Sequence, residues 1–289
     1  MESNSGSLGN VAERAPYSLE ITGKTIKQLV DAKHVVPAKT PVNIAFLGTE
    51  THEKRLHVAR TIRELGFEAV PIISSRRLTS VEELDWLLES YKKEAAPQRF
   101  IFVGGDPATP AGPFDSAIKV LDSGVLERHG ITNVGIVGHP EGNTYIDDAA
   151  AADSLRTKLE ILAKRGCDVE ITTQYGLDAH AMVNWVVQLR EQGIMAPLRL
   201  GIPGPVSTKT LLRFADMFGT QIPEDVAQNY GIDANNPQKT VTADSYINTI
   251  FDAVAAQNLG PALLHMYPFG GVSKAVQWIE NWLSASRLA

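Results

Sequence analysis

The sequence predicts an α/β fold in which eight parallel strands close into a single (β/α)8 barrel. Three observations carry that expectation: eight short apolar runs, amphipathic helical stretches between them, and a length of 289 residues. A barrel of this kind needs about 250 residues. The runs are rich in Val, Ile or Phe, and most stop at Gly, Pro or Ser. Their near-continuous apolarity marks strands covered on both faces. A doubly wound open sheet is the competing architecture, and it normally brings a glycine-rich dinucleotide turn after an early strand. No G-x-G-x-x-G is present. No linker or composition break divides the chain, so residues 16–289 are expected to form one catalytic domain behind a mobile tail at 1–15.

In order, the runs are 17–22 (YSLEIT), 42–48 (VNIAFLG), 68–74 (EAVPIIS), 99–105 (RFIFVGG) and 133–138 (NVGIVG). The last three are 169–174 (VEITTQ), 199–204 (RLGIPG) and 262–268 (ALLHMYP). Between them, 81–93 places Leu84, Leu87, Leu88 and Tyr91 on one helical stripe, and Ser80 with Glu83 makes a capping box. At 178–192, Met182, Val183, Val186 and Leu189 recur at helical spacing before Gly193. Segments 207–218, 244–256 and 272–283 behave alike. The 57 residues at 205–261 hold two or three helices around Ile222-Pro223 and Asn235-Asn236-Pro237.

Composition narrows the function. A net charge of −6 and scattered Lys and Arg give no electrostatic footprint for nucleic acid. The runs at 53–55, 76–77 and 91–93 read as solvated surface. The single cysteine, Cys167, rules out an intramolecular disulfide framework and fits a reducing cytoplasm. No apolar run approaches the roughly 18 residues of a membrane span. His52 and His57, five apart on a helix, do not face one metal and read as surface histidines. Trp185, Trp278 and Trp282 fall on helix stripes as core or interface residues.

In a barrel, chemistry gathers where strands end. That face is expected to carry Glu20, Thr22, Glu50, Ser74, Asp106, residues 139–143, Gln174, Asp178, residues 207–209, His265 and Tyr267. Gly104-Gly105-Asp106-Pro107 lets backbone approach a flat ligand, though an Asp-Pro turn accounts for it equally. His139 and Glu141 offer acid–base groups, or loop polar groups in water. Gln174 presents a donor and an acceptor together, which suits the amide-like edge of a pterin. Glu20 lies among apolar neighbours in the first strand, where a carboxylate is partnered or kept protonated by desolvation. A raised pKa is what a general acid at neutral pH needs.

Taken in order, these segments resemble the methylenetetrahydrofolate reductase family from about Tyr17 to the end of the chain. The family's S-x-E-F-F is matched by Ser18-Leu19-Glu20-Ile21-Thr22, and its R-G-D-x-P by Gly104-Gly105-Asp106-Pro107. Its Y-P-E-x-H-P is matched by His139-Pro140-Glu141-Gly142-Asn143, and its I-T-Q-x-F-F-D by the segment from Thr172 to Asp178. Its P-G-I and F-A-x-M are matched around Gly201-Ile202 and by Phe214-Ala215-Asp216-Met217, and its last H-F-Y by His265-Met266-Tyr267.

The resemblance implies hydride transfer from NAD(P)H, through FAD or directly, between 5,10-methylenetetrahydrofolate and the 5-methyl compound. It casts Glu20 as general acid and Asp106 as the carboxylate beside flavin and folate. Gln174, Phe214, Thr210 and Tyr267 are cast as substrate contacts. Ser74, Gly104, Gly105, Asp106, His139, Glu141, Asn143, Asp153 and Lys158 are cast as cofactor contacts. A homo-oligomer with a tetrahydrofolate-type substrate, and with no metal, is expected. The departures fall mainly on the flavin side. Gly104 replaces an Arg, Phe46 a Thr, Ile72 a His, and His139 and Asn143 a Tyr and a His, while Thr210 replaces a substrate-binding Gln. The alternatives are a pterin-dependent methyltransferase-type barrel and a non-catalytic folate-binding paralogue.

Overall fold

The apolar runs become strands whose side chains alternate between a packed interior and a surrounding layer of helices. The computed structural model describes residues 15–144 and 146–286. Its closed barrel contains β1 (Tyr17–Ile21), β2 (Pro41–Ile44), β3 (Glu68–Ser74), β4 (Phe100–Val103) and β5 (Asn133–Gly138). It continues with β6 (Asp168–Tyr175), β7 (Leu198–Pro203) and, after the two-residue strands β8 (Val206–Ser207) and β9 (Thr240–Val241), β10 (Ala262–Tyr267). The order around the barrel is β1-β10-β7-β6-β5-β4-β3-β2, with every neighbouring pair parallel. The eight expected strands are these eight. The second is shorter than expected because residues 45–48 leave the ladder after the Ala45 amide bonds Ile21 O. The expected tail lies almost wholly outside the described residues.

The main helices follow their apolar stripes: α2 (His52–Glu64), α3 (Val81–Ala95), α6 (Asp148–Lys164), α7 (Ala179–Glu191), α10 (Asp244–Ala256) and α11 (Val272–Ser286). Short helices α1 (Ile26–Asp31), α4 (Ala117–Leu121) and α5 (Val125–Arg128) fill the remaining connections. The long excursion at 205–261 holds α8 (Thr208–Phe218) and α9 (Glu224–Tyr230) besides α10, with β8 and β9 pairing antiparallel. Ser80 caps α3 by accepting the Glu83 amide, but the capping box does not close on itself. Glu83 instead takes the Thr79 amide at 2.5 Å and His52 Nε2 at 2.8 Å.

Two surface expectations are corrected. Arg55 is fully buried, its guanidinium stacked 3.6 Å from the Phe46 ring centroid and donating to Ile72 O at 2.5 Å. His52 is half-buried between Phe46 and Trp86. Both residues lie in the first turns of α2 and pack against Phe46 of the β2–α2 loop.

The lower barrel interior is ionic. Glu170 of β6 bonds Arg199 Nε of β7 at 2.8 Å and also Arg99, which precedes β4. Arg199 Nη1 reaches Ala15 O at 3.3 Å, tying the start of the described chain to the barrel. Two clefts of about 240 and 190 Å3 lie along the strands' amino-terminal ends, lined by residues such as Gly66, Glu68, Gln98 and Thr132, away from the face where chemistry gathers. No helix of the described residues is long and apolar enough to cross a membrane, and they contain no metal-binding group of His, Cys, Asp and Glu.

Removing one member of a buried ion pair leaves a charge without compensation, at a cost of about 3–5 kcal/mol. Glu170→Ala is therefore expected to lose about that much stability in urea unfolding, and a loss below about 1 kcal/mol would show that Glu170 does not hold the lower barrel.

Candidate active site

Barrel closure sets Ser18 opposite His265 in the β1–β10 register. Both are fully buried, and Ser18 Oγ lies 2.7 Å from His265 Nδ1. His265 Nε2 lies 3.4 Å from Glu20 Oε2, whose side chain is 22% exposed. A neutral imidazole protonated on Nε2 satisfies both contacts, accepting from Ser18 and donating to Glu20. Ser18 therefore orients the ring, and being sealed from the mouth it is no nucleophile. Of the two possibilities the strand pattern left for Glu20, a partner or protonation by desolvation, the structure provides a partner. The carboxylate is also partly open.

An aromatic wall rises beside this pair. The Tyr267 ring meets His265 edge-on at 4.8 Å and Tyr175 at 5.6 Å. Phe269 lies 5.2 Å from Tyr175 and stacks on Phe214 of α8 at 3.9 Å, nearly parallel at 14°. Burial, with the charges of Glu20 and Tyr175 nearby, holds the Tyr267 hydroxyl well above the usual phenol range. It stays protonated and donates to Thr173 O at 3.2 Å. Thr210 is turned to Ser207 Oγ, at 2.9 Å, in the first turn of α8.

Gln174 sits at an irregularity. The β6–β7 register shifts between Thr172 and Tyr175, and Thr173 Oγ1 takes the Gly201 amide at 2.7 Å in place of a backbone acceptor. Gly201 makes the bulge possible, because a Cβ there would lie 2.3 Å from Gln174 O. Bulges of this kind re-aim side chains at barrel rims. Just beyond, Glu141 Oε1 accepts the amides of Leu177 at 2.7 Å and Asp178 at 2.9 Å. Burial pushes the Glu141 carboxyl up to about 7 against those two hydrogen bonds.

The β2–β4 side of the mouth is arranged differently. Asp106 is exposed and paired with Arg77 at 2.5 Å. Arg77 lies so close over Gly48 that a Cβ there would fall 2.1 Å from its Nη1. Ser74 is buried beneath Gly105, whose φ of +98° brings the backbone over that hydroxyl. Gly104 borders open space. His139 and Asn143 neighbour one another at 3.4 Å. Burial, then the nearby Lys158, lowers the His139 imidazole to about 4, and burial lowers the Lys158 amine to about 8.

The expected site residues thus divide. Glu20, Gln174, Phe214 and Tyr267 belong to one connected neighbourhood. Asp153 is corrected: it is solvent-exposed, bonds Arg156 at 2.9 Å, and lies about 140° around α6 from the buried Lys158. The two do not face one ligand. Glu141 gives one carboxylate oxygen to the β6–α7 backbone. Phe269, Tyr175 and Arg77 line the mouth without being singled out from sequence. Tyr175 lies within a matched motif and Phe269 two residues past another, so a search for aromatics in and beside them would have found both. Arg77, one of two adjacent arginines, carried no such signal.

No family model matches the sequence. Among solved structures, the chain is similar to the dihydropteroate synthase of Yersinia pestis with a pterine-sulfa conjugate, at TM-score 0.51 and 10% identity, covering 97% of this chain and 96% of that one. It is also similar to the dihydropteroate synthase of Thermus thermophilus in complex with 6HMPPP, at TM-score 0.51 and 14% identity, covering 95% and 94%. At such identities the likeness shows the fold alone, a (β/α)8 barrel.

Placing a methyl group where Gly201 meets Gln174 O forces backbone apart, and overpacking of this kind costs about 1–3 kcal/mol. Gly201→Ala is expected to lose that much in thermal or urea unfolding. A variant as stable as the parent would show that the bulge adapts freely.

Proposed function

We propose that this chain is an oxidoreductase that moves a hydride between a nicotinamide dinucleotide and the one-carbon unit of 5,10-methylenetetrahydrofolate. The observation that carries the reading is Glu20, held by His265 beside the aromatic wall of Tyr267, Tyr175 and Phe269. A proton donor, a flat apolar surface and an amide are what a reduced pterin with a strained imidazolidine ring requires.

In this reading the nicotinamide supplies the hydride, and the protein supplies position and a proton. Glu20 protonates N10 as its bond to the methylene carbon breaks, leaving the iminium on N5. The hydride adds to that carbon and yields the 5-methyl product. His265, fixed by Ser18, keeps Glu20 directed at the mouth and feels its change of charge. Gln174 takes the pterin amide edge, and the stacked Phe214–Phe269 pair offers an aromatic surface to one face of the ring.

At the positions the resemblance assigns to FAD, Asp106 is engaged by Arg77, one Glu141 oxygen by backbone amides and Asp153 by Arg156, while Ser74 Oγ is buried without a hydrogen-bond partner among the described residues. The three engaged carboxylates favour the direct route from nicotinamide to folate, which is the one proposed. A second reading, a pterin-dependent transferase, is favoured by the pterine-sulfa conjugate in a barrel of the same fold. It predicts pterin binding without nicotinamide oxidation.

The test is oxidation of NADH and of NADPH with methylenetetrahydrofolate, with and without added FAD, on protein whose visible absorbance has been recorded. Folate-dependent oxidation without a flavin band is the expected result. Glu20→Gln is expected to lower turnover by about 10²–10⁴-fold, the usual share of general acid catalysis, with folding and folate affinity kept. A stable Gln variant with full turnover removes Glu20 from the mechanism.

A further inference from the structure

Glu141 is the acidic group at the mouth that the proposed chemistry leaves unused. Its Oε1 accepts two consecutive amides, those of Leu177 and Asp178, in the turn between β6 and α7. The other side of this turn is held by the Gly176 amide on Gly201 O at 3.1 Å. Gly176 itself has no room for a side chain, because a Cβ would lie 2.4 Å from both Glu141 Oε1 and Tyr246 Oη. The turn is thus gripped between β7 and Glu141, one residue past the strand that ends in Gln174-Tyr175.

We propose that Glu141 is a positioning residue: its carboxylate clamps the β6–α7 turn and so sets the direction in which Gln174 enters the mouth. The clamp stands on the geometry alone. Its effect on substrate rests on the folate reading given above.

The clamp also titrates in the neutral range. Facing Glu141 are Asp178 from the turn, Tyr246 from α10, Tyr230 from α9 and Tyr175 from β6. None of them is a cation. The Tyr230 and Tyr246 hydroxyls are buried with no hydrogen-bond partner among the described residues, so they do not relieve the charge. Burial therefore dominates and lifts the carboxyl to about 7. Above that pH the carboxylate grips the two amides through charge-assisted bonds, and below it the neutral acid grips them less strongly. The stability sign runs the other way. The folded chain binds this proton more tightly than the unfolded chain, so protonation stabilises the fold below the ordinary carboxylate range, and that contribution is lost as pH rises through about 7.

The experiment compares the 289-residue chain with Glu141→Gln and Glu141→Ala by amide hydrogen exchange at Leu177 and Asp178, corrected for intrinsic rates, from pH 5.5 to 8.5. In the parent, protection at both amides against local opening of the turn, with Glu141 still buried, is expected to rise about fivefold through pH 7, the difference between a charged and a neutral acceptor. The Gln variant is expected to keep protection but lose its pH dependence, and to melt about 2 °C or more above the parent at pH 8 while matching it at pH 5.5. The Ala variant is expected to lose protection about tenfold at every pH. In the reductase assay it is expected to raise KM for methylenetetrahydrofolate more than it lowers kcat, with the Gln variant restoring KM. Protection in the parent that does not change through pH 7, or an unchanged rise in the Gln variant, overturns the proposal. Should the Ala variant not fold, the Gln comparison decides. Should the parent oxidise no nicotinamide, the exchange data still decide the clamp, so the two failures are told apart.

Discussion

The seam between β1 and β10 is the contact on which the candidate site depends. Tyr17, Ser18 and Leu19 pair with Leu264, His265 and Met266, across more than 240 residues of chain. That pairing closes the barrel, removing both sheet edges. It also delivers a histidine from the last strand to a carboxylate on the first. Ser18 and Glu20 stand two residues apart on one face of β1, the spacing by which a strand repeats its direction. One imidazole spans the gap, bonding Ser18 below and Glu20 above. Without the seam, Glu20 would be an unsupported carboxylate on an edge strand.

Polar groups inside the barrel are layered by purpose. At the amino-terminal end, Glu170 is shared between Arg99 and Arg199 and holds three strand regions together. Higher up, Ser18 and His265 form a fully buried link. At the mouth, Glu20 and Gln174 are only partly buried. The gradient has a physical reason. A deep charge needs a complete set of partners, whereas a charge at the rim keeps some solvent and is free to change its protonation state.

The mouth has two unlike halves. On the β1, β6 and β10 side, aromatic rings and an amide border the Glu20–His265 pair, and α8 brings Phe214 onto Phe269. On the β2–β4 side, arginines occupy the space: Arg55 lies under Phe46 and Arg77 over Gly48 and on Asp106. This second half pairs Asp106 with Arg77 but leaves Glu50, Ser74 Oγ and part of the Arg55 guanidinium buried without a hydrogen-bond partner among the described residues.

The sequence by itself determined the eight strands, because apolarity continuous enough for burial on both faces can be read without partners, as at 133–138. It also determined the main helices, whose stripes repeat every three or four residues. Glu20 was legible as unusual for the same reason, a charge inside an apolar run. Tertiary structure decided how such charges are spent. The separation of Asp153 from Lys158 follows from the helix period alone, but the inward turn of Arg55 from a polar run and the diversion of Glu141 to the Leu177 and Asp178 amides depend on contacts between distant segments. So does the bulge at Gln174, which needs Gly201 on another strand. Periodicity records which face of an element is buried, but a hydrogen bond between residues 36 positions apart, such as Glu141 to Leu177, leaves no trace in either segment.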